Sequence, residues 1–260
     1  MSFPAKIICL TEETVETLHL LGRSDLIAGV SQYAERPAEA KNHPVVSQFI
    51  RSDIERIVEI RPDLVIGFSD IQKDIAKELV GRGLNVLITN QRSLKEILEH
   101  ILLLGRIVGE ESKAKILVQQ FEDKMSDIRS KAKSFSRTPN VYFEEWDQPR
   151  LSCIRWVSEL IEVAGGKNIF GDRVGSLARD REVIDEEIVS RCPDIILASW
   201  CGKKVKLDSF ARRQGYGALK AIQTDHIHEI SSTIILQPGP ALFVDGLDQL
   251  FEIFKKFSGP

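Results

Sequence analysis

The chain has 260 residues, 43% of them hydrophobic, enough to bury one large core or two modest ones. Its net charge of −3, from 35 Lys and Arg against 38 Asp and Glu, supplies neither the basic excess of a nucleic-acid surface nor a charged tail. No apolar run approaches the roughly 20 residues that cross a bilayer, so a soluble protein with no nucleic-acid partner is expected.

The N-terminus, MSFPAKIICL, runs straight into a short apolar strand without an h-region or a small-residue cleavage site. That places the chain as it stands in the cytoplasm, with the periplasm or a membrane anchor as the alternative if a leader was removed. Cys9, Cys153, Cys192 and Cys201 lack C-x-x-C spacing and read as reduced thiols. In chain order, Lys6 to Leu10 predicts a strand, Glu13 to Leu21 a helix stopped by Gly22, Leu26 to Val30 a strand, Asp53 to Ile60 a helix and Leu64 to Phe68 a strand. A helix at Ile71 to Val80, a strand at Asn85 to Thr89 and a helix from Ser93 to Val108 follow. Their near-continuous apolar strands are those of a parallel sheet covered on both faces.

From Glu110 to Ser134 the residues Ala114, Leu117, Val118, Phe121, Met125, Ile128 and Ala132 recur at steps of three and four, which predicts one long helix of about 35 Å with a single apolar stripe. Beyond it come a strand at Asn140 to Glu145, helices at Arg155 to Ala164 and Glu182 to Ser190, and a strand at Asp194 to Ser199. A helix near Asp208 to Arg213, a strand at His226 to Ile230 and a closing helix from Ala241 to Phe257 complete the order.

The second half restates the first. DIERIVEIRPDLVIGF from Asp53 returns as IDEEIVSRCPDIILAS from Ile184, with Pro62 set against Pro193 at an offset of 131 residues (193 − 62). Each copy reads as an amphipathic helix, a Pro-Asp turn and an apolar strand. The expected architecture is α/β: two Rossmann-like lobes with parallel sheets, at 1–109 and 137–260, joined by a long α-helix at 110–136. Two similar halves imply a ligand cleft between them.

Two such lobes on one long helix, together with LIAGVSQYAERP at Leu26 to Pro37, IERIVEIRPDLVIGF and WVSELIEVAGGKNIF at Trp156 to Phe170, resemble the substrate-binding proteins of ABC importers for cobalamin, iron siderophores and haem, the long-helix-linked class III periplasmic binding proteins. The resemblance runs from Ile7 through Phe257 and is nearest to the cobalamin-binding members. It implies capture of a corrinoid, an iron siderophore or haem and delivery to an ABC permease dimer by a monomeric protein that is no enzyme and needs no cofactor of its own. A cytosolic enzyme, or a corrinoid- or metal-handling factor that keeps the fold without a transporter, is the alternative.

Ligands of doubly wound sheets sit beyond the carboxyl ends of the strands. Trp146 and Trp200 fall just past such ends, with Tyr33 and Phe68 in comparable places in the first half, and the resemblance adds Phe49 as an aromatic contact. Rings of this kind suit a large, partly flat ligand, though each is also suited to cap its own core. Glu145, Arg150 and Cys201 complete the candidate ligand set, with Arg155, Arg179, Arg181, Lys203 and Lys204 as further cations that either grip ligand oxygens or balance Glu144, Glu145 and Asp147. Glu55 and Glu186 lie in corresponding first helical turns, where acidic residues favour the helix dipole. The resemblance makes them the pair that docks on the permease.

Metal binding is the chemical rival, through His43, Glu145, Asp147 and Cys201, but His19 and His100 lie in predicted helices and His226 and His228 on one strand, so no preformed metal site is expected. GRGLN follows a helix instead of a strand, CGKK lacks the rest of a P-loop, and GFSDI lacks the second glycine of a nucleophile elbow, so no catalytic residues are assigned.

Overall fold

The computed structural model describes residues 4–173, 175 and 177–259. They form two compact units. The first contains the chain up to Gln91, Lys95–Gln120 and Gln237–Pro240; the second contains Arg92–Leu94, Phe121–Leu236 and the chain from Ala241.

In the first unit the elements are β1 (Ile7–Cys9), α1 (Glu12–Leu20), β2 (Ile27–Ser31), β3 (Val45–Ser47), α2 (Ile54–Ile60), β4 (Leu64–Phe68), α3 (Lys73–Gly81) and β5 (Val86–Thr89). α4 (Leu94–Ile107) and α5 (Glu111–Ala132) follow, and α5 carries the chain from the first unit into the second. All pairings of the first sheet are parallel, in the order β3-β2-β1-β4-β5. Ile7, Ile8 and Cys9 of the central strand are fully buried, as a strand covered on both faces requires. One side of that core gathers Ile8, Leu10, Val46, Ile57, Val65, Ile75 and Leu79.

The second unit contains β6 (Asn140–Asp147), β7 (Arg150–Ser152), α6 (Arg155–Val163), β8 (Lys167–Asn168), α7 (Asp185–Ser190), β9 (Ile195–Ala198), α8 (Lys220–Gln223), β10 (Ile227–Glu229), α9 (Ser232–Ile235) and α10 (Leu247–Ser258). Its sheet runs β10-β9-β6-β7, with β8 paired to the start of β6. The sheet is parallel except at β7, which returns antiparallel along the end of β6.

The sequence repeat has a physical basis in the Pro-Asp turn. Asp63 donates its N–H to the Lys6 carbonyl at 2.9 Å while its carboxylate accepts the N–H groups of Ala5 and Lys6 at 2.7 and 2.9 Å. Asp194 does the same to β6: its N–H reaches the Asn140 carbonyl at 2.8 Å and its carboxylate accepts the Asn140 N–H at 3.0 Å. Each aspartate thus fixes where its strand starts against the neighbouring parallel strand. The residues just before the prolines match too: Arg61 (φ 52°) and Cys192 (φ 45°) both adopt the left-handed conformation that ends a helix.

The structure differs from the expected elements in several places. The strand expected to end at Glu145 continues to Asp147, with a bulge between Glu144 and Trp146, and Gln148-Pro149 turns it into β7. The helix expected from Glu182 starts only at Asp185, and the stretch near Asp208 is a 3-10 helix, Leu207–Arg212. The closing helix opens with a π turn, Leu242–Gly246, before α10, and a helical turn not expected from the sequence, Ser232–Ile235, precedes it.

Candidate functional site

The carboxyl ends of the first sheet are gathered by Gln72, a residue with no sequence signal. Fully buried, it accepts the Phe68 N–H at 2.9 Å and donates to the carbonyls of Phe49 at 2.7 Å and Leu10 at 3.3 Å. One carboxamide thereby ties together the ends of β1 and β4 and the turn after β3. Gly67 is required beside it, because a Cβ there would stand 2.5 Å from Gln72 Oε1. Phe49, half-buried, is held at φ 66°, a strained conformation for an aromatic residue and one that the Gln72 bond helps to impose. Tyr33 is 41% exposed, while Phe68 is buried in its own unit.

Glu12 and Glu13 lie in the first turn of α1, directly beyond β1, and both are buried. Burial raises the pKa of each; bonds from Ser31 and Gln237 oppose the rise at Glu12. Glu13, next to the Glu12 charge, is pushed up to about 8 even though Thr11 donates to it at 2.6 Å. No basic side chain contributes to either shift. Glu12 Oε1 and Glu13 Oε2 are buried without a hydrogen-bond partner.

The second unit treats its acids differently. Glu144, fully buried at the end of β6, accepts two bonds from Arg213 at 2.5 and 2.9 Å, one from the Tyr142 hydroxyl at 3.0 Å and one from Trp200 Nε1 at 3.2 Å. Burial, then the Glu144 charge, drives the Tyr142 pKa far up, so the phenol remains a donor. Glu145 forms a two-pronged ion pair with Arg181 and accepts the Ile154 N–H at 3.0 Å. Asp147 pairs with Lys203 at 2.6 Å; burial would raise its pKa, but the lysine holds it below the usual carboxylate range. Three acids from one strand end meet three cations from three other segments.

Lys203 does more than neutralise Asp147. Its ammonium lies 4.1 Å from the ring centre of Trp146 and 4.8 Å from that of Trp200, both within cation–π range. Trp146 is also pinned at its other polar point, where Nε1 donates to the Gln148 carbonyl at 2.9 Å. The half-buried Trp146 ring is therefore a fixed platform with its surrounding charges balanced.

Of the candidate residues, Tyr33, Phe49, Trp146 and Cys201 keep surface to offer a ligand. Trp200 is 3% exposed and stacks with Phe210 in the core cluster against which Trp146 packs, so it presents no ring face to a ligand. Glu145 is committed to Arg181, and Arg150 to Asp185 at 2.9 Å. Among the other cations, Arg155 pairs with Glu159 on its own helix, Arg179 is exposed beside Asp180, and Lys204 is exposed. Glu55 and Glu186 are exposed second residues of α2 and α7; Glu55 carries an ion pair with Arg82. Neither group of acids matches the metal set considered from the sequence: Glu145 and Asp147 are taken by cations, and among the described residues no three His, Cys, Asp or Glu side chains converge.

Two α/β units, each on a largely parallel sheet, gather aromatic and polar side chains at the strand ends, the place where sheets of this kind bind ligands. The periplasmic binding protein family matches residues 7–233, and the chain belongs to that family. It is 27% identical over 258 residues to the uncharacterized ABC transporter substrate-binding lipoprotein YvrC of Bacillus subtilis, covering 96% of this chain and 79% of YvrC. It is 24% identical over 258 residues to the vitamin B12-binding protein of Vibrio parahaemolyticus, covering 97% and 89%. The periplasmic haem-binding protein RhuT from Roseiflexus sp. RS-1 shares the fold, with TM-score 0.85 and 21% identity over 98% of this chain and 100% of that one. These relatives are substrate-binding proteins, not enzymes. The cytoplasmic placement expected from the first residues finds no support among them, since one is a lipoprotein; among the described residues no helix is long and apolar enough to cross a membrane.

Proposed function

We propose that the chain captures a corrinoid of the cobalamin type at its strand-end loops and hands it to an ABC permease, working outside the cytoplasmic membrane. The observation that carries the ligand class is Trp146, an indole held flat by Lys203 and the Gln148 carbonyl, because a rigid ring with balanced charge suits the face of a large conjugated macrocycle. Tyr33 and Phe49 supply further aromatic surface in the first unit. The vitamin B12-binding relative, matched in sequence over 97% of this chain and 89% of its own length, supports the corrinoid over haem.

Titrating the purified protein with cyanocobalamin, cobinamide and haemin while following tryptophan fluorescence tests the reading. Saturable binding of a corrinoid is expected, weakened at least tenfold in Trp146→Ala. A protein that binds no corrinoid refutes it.

Glu55 and Glu186, one in each unit at matching helix positions, are proposed to dock on paired basic sites of the permease, with Arg82 giving up Glu55 on contact. In vesicles carrying the cognate permease, Glu55→Lys or Glu186→Lys should abolish uptake at unchanged ligand affinity. Full uptake, or a loss of affinity, would rule the docking role out.

A further inference from the structure

The acids at the end of β6 each have a cation, whereas no basic side chain offsets the burial of Glu12 or Glu13 beyond β1, although both groups stand where strand-end ligands bind. A buried carboxylate oxygen without a donor is costly, and two in one helical turn cost more because their charges repel. A third orphan lies nearby. Gln91, 4% exposed, reaches the Pro238 carbonyl with its Nε2 at 3.5 Å and leaves its Oε1 buried and unpartnered. Next in the chain, Gly239 packs against Glu13 so closely that a Cβ would lie 2.4 Å from the Glu13 Cβ. Three orphan acceptors thus surround one short segment, Gln237–Pro240, and no donor among the described residues fills them.

The same segment shows what chemistry the acids accept. The half-buried Gln237 side chain, a primary carboxamide, hydrogen-bonds to Glu12. We infer that Glu12 and Glu13 form the subsite for a carboxamide of the ligand, for which Gln237 stands in, and that this subsite selects amide-edged over carboxylate-edged macrocycles. The inference rests on the corrinoid reading above. Corrinoids carry primary amides around their rim, whereas haem carries propionates. Burial raises the proton affinity of both glutamates, and Glu13 holds its proton to about pH 8, so the pair presents a carboxyl hydroxyl near neutral pH. One hydroxyl and the remaining acceptor oxygens complement an amide's carbonyl and two N–H groups. A ligand carboxylate would bring further negative charge into a buried acidic site and be refused.

The test measures the affinities of wild type, Glu12→Gln, Glu13→Gln and Gln237→Ala for cobinamide, for cobinamide with one amide hydrolysed to the acid, and for haemin, with circular dichroism to confirm folding. Wild type should prefer the amide over both carboxylates by at least tenfold. The two glutamate variants should lose most of that preference, and Gln237→Ala, freed of the internal competitor, should bind cobinamide severalfold more tightly. Corrinoid affinity and preference equal in wild type and both glutamate variants would overturn the subsite while leaving the corrinoid reading intact. A wild-type protein that takes haemin and refuses cobinamide would overturn both.

Discussion

Replacing Arg213 with Met should destabilise the second unit by about 3–5 kcal/mol, the range seen when one member of a buried ion pair is removed. Glu144 is fully buried, and Arg213 supplies two of its four hydrogen bonds and its charge compensation. Burial by itself would lower the arginine's pKa, but its bonds to Glu144 outweigh that and raise it. The guanidinium also lies 4.0 Å from the Phe210 ring centre, so truncation loses packing along with charge. Thermal melting should fall by roughly 10 °C, from about 2–4 °C per kcal/mol in proteins of this size. The paired change Glu144→Gln with Arg213→Met should recover much of the loss, because Tyr142 and Trp200 then face a neutral amide. A single variant that melts with the wild type would contradict the network.

The second large effect is on pH. Glu13 holds its proton to about pH 8 in the fold, against 4.5 when unfolded, so the native state binds the extra proton in that window. Stability contributed by this group is therefore fully present below pH 4.5 and falls as pH rises toward 8, by about 1.4 kcal/mol per pH unit. His100 works in the opposite sense. Buried with both ring nitrogens unpartnered, it is lowered from 6.5 to about 4 by desolvation, so its protonation favours the unfolded chain and stability falls as pH drops from 6.5 to 4. Between pH 4.5 and 6.5 the two slopes nearly cancel. In guanidinium melts, Glu13→Gln should gain on wild type increasingly from pH 5 to pH 8, while any gain of His100→Leu should grow only below pH 6.5. A pH-independent difference for Glu13→Gln would mean that the carboxylate has a partner after all.

The repeated helix, turn and strand could be read from sequence because the Pro-Asp pair acts locally, with Asp63 and Asp194 each reaching back to the strand beside their own. The hairpin of β6 and β7 could not, since its turn, Gln148-Pro149, carries no glycine and its return strand is three residues long. Trp146 and Trp200 look equivalent in sequence, yet the Glu144 that accepts the Trp200 indole N–H lies 56 residues upstream. Arg181 and Lys203 likewise find their acids 36 and 56 residues away, so no spacing could reveal that they were already paired. The acidic first turn at Glu12 and Glu13 forms where α1 begins just beyond β1, and its lack of cations depends on packing. Gln72 had no distinguishing neighbour at all.

The segment Gln237–Pro240 lies late in the chain yet folds with the first unit, while Arg92–Leu94, from its early part, fold with the second. No single cut can therefore release either unit whole. A fragment ending after the long helix would keep β1 to β5 but lose Gly239 and Gln237, exposing the Glu12 and Glu13 turn to water and relieving the very desolvation that raises their pKa values. The acidic turn is thus a property of the continuous polypeptide, completed only when its last quarter has been synthesised.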